Sequence, residues 1–101
     1  MKLQISASGV PLEGTVEKVL IQKLQSDLEK YLKHYNTTDI VADVRVEKRT
    51  RWGYKVTFDL MLPGNHHLFS EEKHENFHTA VNSLRDEVKR SIRKLKEKKI
   101  A

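Results

Sequence analysis

The hydrophobic period of this chain switches three times, and the order of the switches limits what it can fold into. Leu3, Ile5 and Ala7 alternate with Lys2, Gln4 and Ser6, which is the two-residue period of a strand. Gly9 to Gly14, with Pro11, breaks that pattern. From about Thr15 the period becomes helical, with Val16, Val19, Leu20, Leu24, Leu28, Tyr31, Leu32 and Tyr35 forming one apolar stripe. Asn36-Thr37-Thr38-Asp39 stops it, asparagine tolerating the left-handed conformation that closes a helix. Alternation returns with Ile40, Ala42, Val44 and Val46, and again with Tyr54, Val56, Phe58, Leu60 and Leu62. Arg49-Thr50-Arg51-Trp52-Gly53 reads as the hairpin between these two strands.

Pro63-Gly64-Asn65 is a turn, after which His66 to Phe69 predicts a short fourth strand. Ser70 with Glu71, Glu72 and Glu75 suits a helix start, where carboxylates complement the amino-end dipole. Phe77, Ala80, Val81, Leu84, Val88, Ile92 and Leu95 then line one face of a last helix. The predicted fold class is α+β: a βαβββα two-layer sandwich, a four-stranded sheet with two helices on one face. At 101 residues the chain makes one domain, 1–101, large enough for a single core.

Charge is distributed unevenly. From Arg85 to Lys99 there are eight basic residues against three acidic, and the remainder of the chain nets zero, so the whole formal charge of +5 sits on the last helix. Arg85, Lys89, Arg93 and Lys96 line one flank of its apolar stripe, with Arg90 and Lys94 on the outward side. An ordinary solvated helix would pair such charges at i,i+4, but here only Glu97 is acidic after Glu87. Basic residues at the end of a helix also complement its dipole, which is the plainer reading. Localised cations otherwise mark a polyanion surface, and about five phosphate contacts predict a log–log salt slope of roughly −3.5 to −4.5. Lys23 and Lys30 share a stripe on the first helix, with Asp27 between them weakening the patch. Arg49, Arg51 and Trp52, beside Lys48, have the chemistry of base stacking, although a tryptophan folded over the sheet edge is the commoner case.

His74-Glu75-Asn76-Phe77-His78 matches H-E-x-x-H, which on a helix sets two histidines on one face for zinc, with the glutamate as general base. A catalytic site needs a third protein ligand; Glu87 is near the helix's opposite side, and His66 or His67 could supply one only if the short fourth strand runs back past the helix start. Surface histidines are the expected reading, with a zinc-dependent hydrolase as the minor alternative. No phosphate loop or nucleophile elbow is present and there is no cysteine, so the chain reads as no enzyme and as needing no cofactor. The alternating N-terminus is no secretory signal, no run approaches a membrane span, and the cytoplasm is the expected compartment.

The element order, Val44-Arg45-Val46-Glu47-Lys48, and the stretch from Glu75 to Lys96 together resemble the ribosome hibernation-promoting factors and ribosome-associated inhibitors. That family's second helix reads D-M-Y-x-A-I-D, then D-K-L-x-R-Q-L-x-K-x-K. The same frame here is Asn76-Phe77-His78-Thr79-Ala80-Val81-Asn82, then Asp86 through Lys96. Leu28-Glu29-Lys30-Tyr31 resembles part of its first helix. The resemblance implies a domain similar to the double-stranded-RNA-binding fold. It also implies binding to small-subunit ribosomal RNA in the channel used by messenger and transfer RNA, blocking it sterically, with no membrane and no small-molecule substrate; a generic structured-RNA-binding module of the same fold is the alternative.

Arg90, Lys94 and Lys96 fall on the family's basic positions in the second helix, Lys23 on one in the first, and Lys48 on the strand motif's lysine. Two positions depart from it: Asp27 and Glu87 stand where the family usually has lysine. Lys23, Lys48, Arg90, Lys94 and Lys96, with Lys30, Arg85, Lys89 and Arg93, make the expected RNA-binding set. Ending at Ala101 just after the basic helix, the sequence resembles the short forms, and a monomer is expected away from the ribosome.

Overall fold

The computed structural model describes residues 2–9, 15–32, 40–49, 51, 53–62 and 66–100, with the side chains of 15, 49 and 96–100 left out of the account. Four strands, β1 (Lys2–Ser8), β2 (Val41–Arg49), β3 (Gly53–Leu62) and β4 (His66–His74), form one sheet in the order β1-β2-β3-β4. β1 runs parallel to β2, and the other two pairings are antiparallel. Parallel neighbours need a crossover, and helix α1 over residues 15–31 supplies it. The second helix, α2 (Phe77–Ile100), follows β4. The expected βαβββα sandwich is the observed one.

Core positions follow directly from the sequence period. Ala42, Val44 and Val46 of β2, with Val56, Phe58, Leu60 and Leu62 of β3, point under the helices and are sealed from solvent. Against them lie Leu20, Leu24, Leu28 and Leu32 from the first helical segment, and Ala80, Val81, Leu84, Val88 and Ile92 from α2. Each such leucine contributes about 1.5–3 kcal/mol relative to an exposed one.

Helix α1 is not a uniform α-helix. Thr15–Leu20 is α-helical, Ile21–Ser26 is π-helical, and Asp27–Tyr31 is α-helical again. The leucine spacing accounts for this. Leu20, Leu24, Leu28 and Leu32 recur every four residues, which in a 3.6-residue helix overshoots the buried face by about 40° at each step. A wider turn, whose hydrogen bonds reach one residue further, takes up that drift, so all four leucines are fully buried. The predicted helical end at Tyr35 and the stop at Asn36 to Asp39 lie outside the described residues, as do Trp52 and the Pro63-Gly64-Asn65 turn.

The fourth strand corrects the sequence expectation. It does not end at Phe69, and Ser70 does not start a helix: β4 continues to His74, pairing Tyr54 with His74 and Val56 with Glu72. Ser70 is buried, and Glu72 and His74 are half-buried, on the same face as Leu68, while Phe69, Glu71 and Lys73 are exposed. The two-residue period persists there, carried by polar side chains. The true cap of α2 is Asn76, whose Oδ1 accepts from the Thr79 amide at 3.2 Å and whose carbonyl accepts from the Ala80 amide at 3.1 Å.

Gly53, at φ +89°, closes the β2–β3 hairpin against this junction. A Cβ there would collide with the His74 carbonyl and the Glu75 backbone, so the close approach requires glycine.

Candidate nucleic-acid interface

The candidate surface is built on α2, whose apolar face fixes which way its cations point. With Leu84, Val88 and Ile92 turned into the core, Arg85 and Lys89 lie on the flank toward α1, half-buried, and Arg90, Arg93 and Lys94 are exposed. The backbone of Lys96 continues the same helix, and its side chain lies outside the described residues.

Toward α1 the cations are gathered by one acid. Arg85 Nη1 lies 3.2 Å from an Asp27 carboxylate oxygen, and the ammonium groups of Lys89 and Lys30 lie 3.8 and 4.0 Å from its carboxylate oxygens. Beside it, the Tyr31 ring has the Lys89 ammonium 5.1 Å and the Arg93 guanidinium carbon 5.7 Å from its centroid. Such contacts hold flexible cations in place at a modest gain. A lack of acidic partners within α2 suggested unpaired cations; the fold supplies the partner from the other helix.

Toward β4 the chemistry is different. The buried Ser70 hydroxyl donates to a Glu87 carboxylate oxygen at 2.8 Å, and Glu72 projects into the same space. Burial, then the hydrogen bond and like charge of Glu87, push the Glu72 carboxyl above its usual range; hydrogen bonds from Glu72 and Ser70 pull Glu87 below it. Where the pair holds one proton, these opposed shifts put it on Glu72, with His74 Nε2 3.5 Å from Glu72 on the other side. Glu87 is thus tied to the sheet and borders Arg90 of the cationic stripe.

The remaining expected residues are more scattered. Lys23 is half-buried in the π-helical stretch, and Lys48 is exposed near the end of β2, paired in register with Tyr54. Among the described residues no ion pair or ring contact joins either of them to the helix cluster. Tyr31 was read from sequence only as part of an apolar stripe, and Asp27 only as a local weakening; their shared place between the helices was not legible.

The H-E-x-x-H segment does not form a helical pair. His74 ends β4 and His78 is the second residue of α2, with the Asn76 cap between them. The i,i+4 juxtaposition that zinc chemistry needs is therefore missing. On the sheet's open face a shallow concavity of about 420 Å³ is lined by residues including Asp43, Arg45, Lys55, Thr57, Phe69 and Glu71. Its charges are mixed, with Lys55 and Glu71 paired at 3.3 Å. No helix among the described residues is long and apolar enough to cross a membrane.

A mixed four-stranded sheet covered on one side by two helices, the second bearing an outward cationic stripe, defines a class of small α+β domains that present charge from a helix. The chain matches the family described as sigma 54 modulation protein / S30EA ribosomal protein over residues 3–100, and it belongs to that family. Two solved structures are similar to it in fold. The Protein Y N-terminal domain from Thermus thermophilus superposes with a TM-score of 0.76 at 12% identity, covering 94% of this chain and 99% of that one. A ribosomal subunit interface protein from Coxiella burnetii superposes with a TM-score of 0.71 at 16% identity, covering 96% and 99%. No curated protein sequence matches the chain.

Proposed function

We propose that this protein silences translation by binding the small ribosomal subunit, laying α2 on ribosomal RNA in the messenger and transfer RNA channel and blocking it sterically. The family and the fold shared with a ribosomal subunit interface protein support a ribosomal partner. The observation that carries the RNA reading is the exposed run of Arg90, Arg93 and Lys94 along one helix, none of which forms an ion pair among the described residues. Each such cation that neutralises a phosphate releases condensed counterions, so binding draws its free energy from the stripe and needs no chemistry. Steric exclusion then follows from occupancy of the channel alone.

Arg90→Glu with Lys94→Glu tests the reading, because both side chains are exposed and the core is untouched. The double variant keeps its helical circular dichroism and loses cosedimentation with small subunits, by ~100-fold or more in affinity, as four units of charge are exchanged beside phosphates. Transfer RNA competes with the wild-type protein for the same subunits. Unchanged pelleting of the double variant contradicts the proposal.

A further inference from the structure

Between α1 and α2 lies an open concavity of about 370 Å³ lined by Tyr31, Asp86, Lys89, Arg90 and Arg93. Four of these residues stand at i, i+3, i+4 and i+7 on α2, one continuous stripe, and Tyr31 faces them from α1. We infer that this concavity is a subsite for a single unpaired nucleotide of RNA, with a base carrying an exocyclic amino group. The inference rests on the proposed RNA-binding function and specifies what that surface reads.

Three features support it. First, the Tyr31 ring fixes Arg93 and Lys89 from behind, at 5.7 and 5.1 Å, and Arg93 remains exposed. A base laid on the free side of that planar guanidinium completes a stack with the ring, which is how unpaired bases are held; Tyr31 is then a positioning residue. Second, the exposed Arg90 flanks the stack and supplies a cation for the adjoining phosphate. Third, Asp86 puts a carboxylate among these cations, where a phosphate would be repelled. Arg85 Nε and Nη2 both donate to its Oδ1 at 3.4 Å, which leaves Oδ2 as an acceptor on a side chain 61% exposed. A carboxylate oxygen accepts from an amino group such as N4 of cytosine and finds no donor of that kind on uracil. A paired RNA duplex, whose bases are stacked inside and whose major groove is too deep and narrow for side chains, offers neither the stacking face nor a reachable amino group.

The full-length protein is titrated by fluorescence anisotropy with labelled RNA hexamers of cytidine or uridine and with a perfect 12-base-pair RNA duplex. The cytidine hexamer binds about fivefold to tenfold tighter than the uridine hexamer, a modest share of what a buried base contact gives. Asp86→Ala brings that ratio to one while raising both affinities, since it removes a negative charge. Arg93→Lys keeps the charge and loses the plane, so hexamer affinity falls about fivefold with duplex affinity and salt slope unchanged. Normal binding to small subunits, with equal affinity for the two hexamers and an equal response to Asp86→Ala, overturns this inference alone. Failure of the wild-type protein to bind small subunits overturns the proposed function, and this inference with it.

Discussion

The two flanks of α2 each meet a carboxylate, and the two carboxylates do opposite things. Toward α1, Asp27 sits among Arg85, Lys89 and Lys30, an acid enclosed by cations. Toward β4, Glu87 meets Ser70 and Glu72, an acid held by hydrogen bonds from a hydroxyl and from another carboxyl. A charge count treats Asp27 and Glu87 alike, as units subtracted from a basic ridge. Their neighbours separate them. Asp27 occupies the place where an incoming phosphate would reach Arg85 and Lys89, so it competes with ligand. Glu87 ties the helix to the sheet and meets the exposed stripe at Arg90.

Three substitutions test this contrast. The largest effect is expected from Ser70→Ala, which strips the Glu87 carboxylate of a buried donor. It lowers stability by about 1–2 kcal/mol, read from the denaturant midpoint, and leaves RNA affinity where it was. A matching drop in RNA affinity would mean that the two flanks are not independent.

Asp27→Asn does the reverse. Freed of their partner, Arg85 and Lys89 can reach phosphate, and small-subunit affinity rises roughly threefold to tenfold, with a salt slope steeper by about one contact. Stability changes by less than about 1 kcal/mol, because these ion pairs remain partly exposed to water and its ions. Weaker subunit binding in this variant would show that Asp27 organises the surface.

The smallest effect is a pH dependence. Glu72 titrates above its unfolded value, so the stability it adds is complete below the ordinary carboxylate range and is lost as pH rises through the raised pKa. Glu87 titrates below its unfolded value, so its contribution holds above the ordinary range and is lost as pH falls through the lowered one. Stability is therefore greatest at mildly acidic pH, where one proton is held between them. Glu72→Gln removes the decline on the alkaline side, read as denaturant midpoint against pH with His74 and Arg90 unchanged. A decline that persists in Glu72→Gln contradicts the assignment to Glu72.

Where side chains are apolar, the sequence was sufficient. The alternation at Ala42 to Val46 and Val56 to Leu62 located two central strands, and the run from Ala80 to Ile92 located the buried face of α2. It misled where polar residues took core-facing positions. Ser70, Glu72 and His74 continue β4's inward face, yet serine followed by glutamates imitates a helix start, and the partner that satisfies Ser70 lies 17 residues away on α2. The π-helical stretch was present in the four-residue leucine spacing, read there simply as a helix. The cationic stripe was legible because it lies within one helix, where spacing alone sets direction. The Asp27–Tyr31 contribution was not, because it depends on how two helices pack.

The account stands on cations of one helix gripping phosphate, and the salt dependence of small-subunit affinity measures that most directly. With Asp27 engaging part of the set, about three to five contacts predict a log–log slope between roughly −2 and −4.5 for the wild-type protein, shallower by about two contacts in the Arg90→Glu, Lys94→Glu variant. An affinity that hardly changes with salt, or a slope identical in the two proteins, would contradict it.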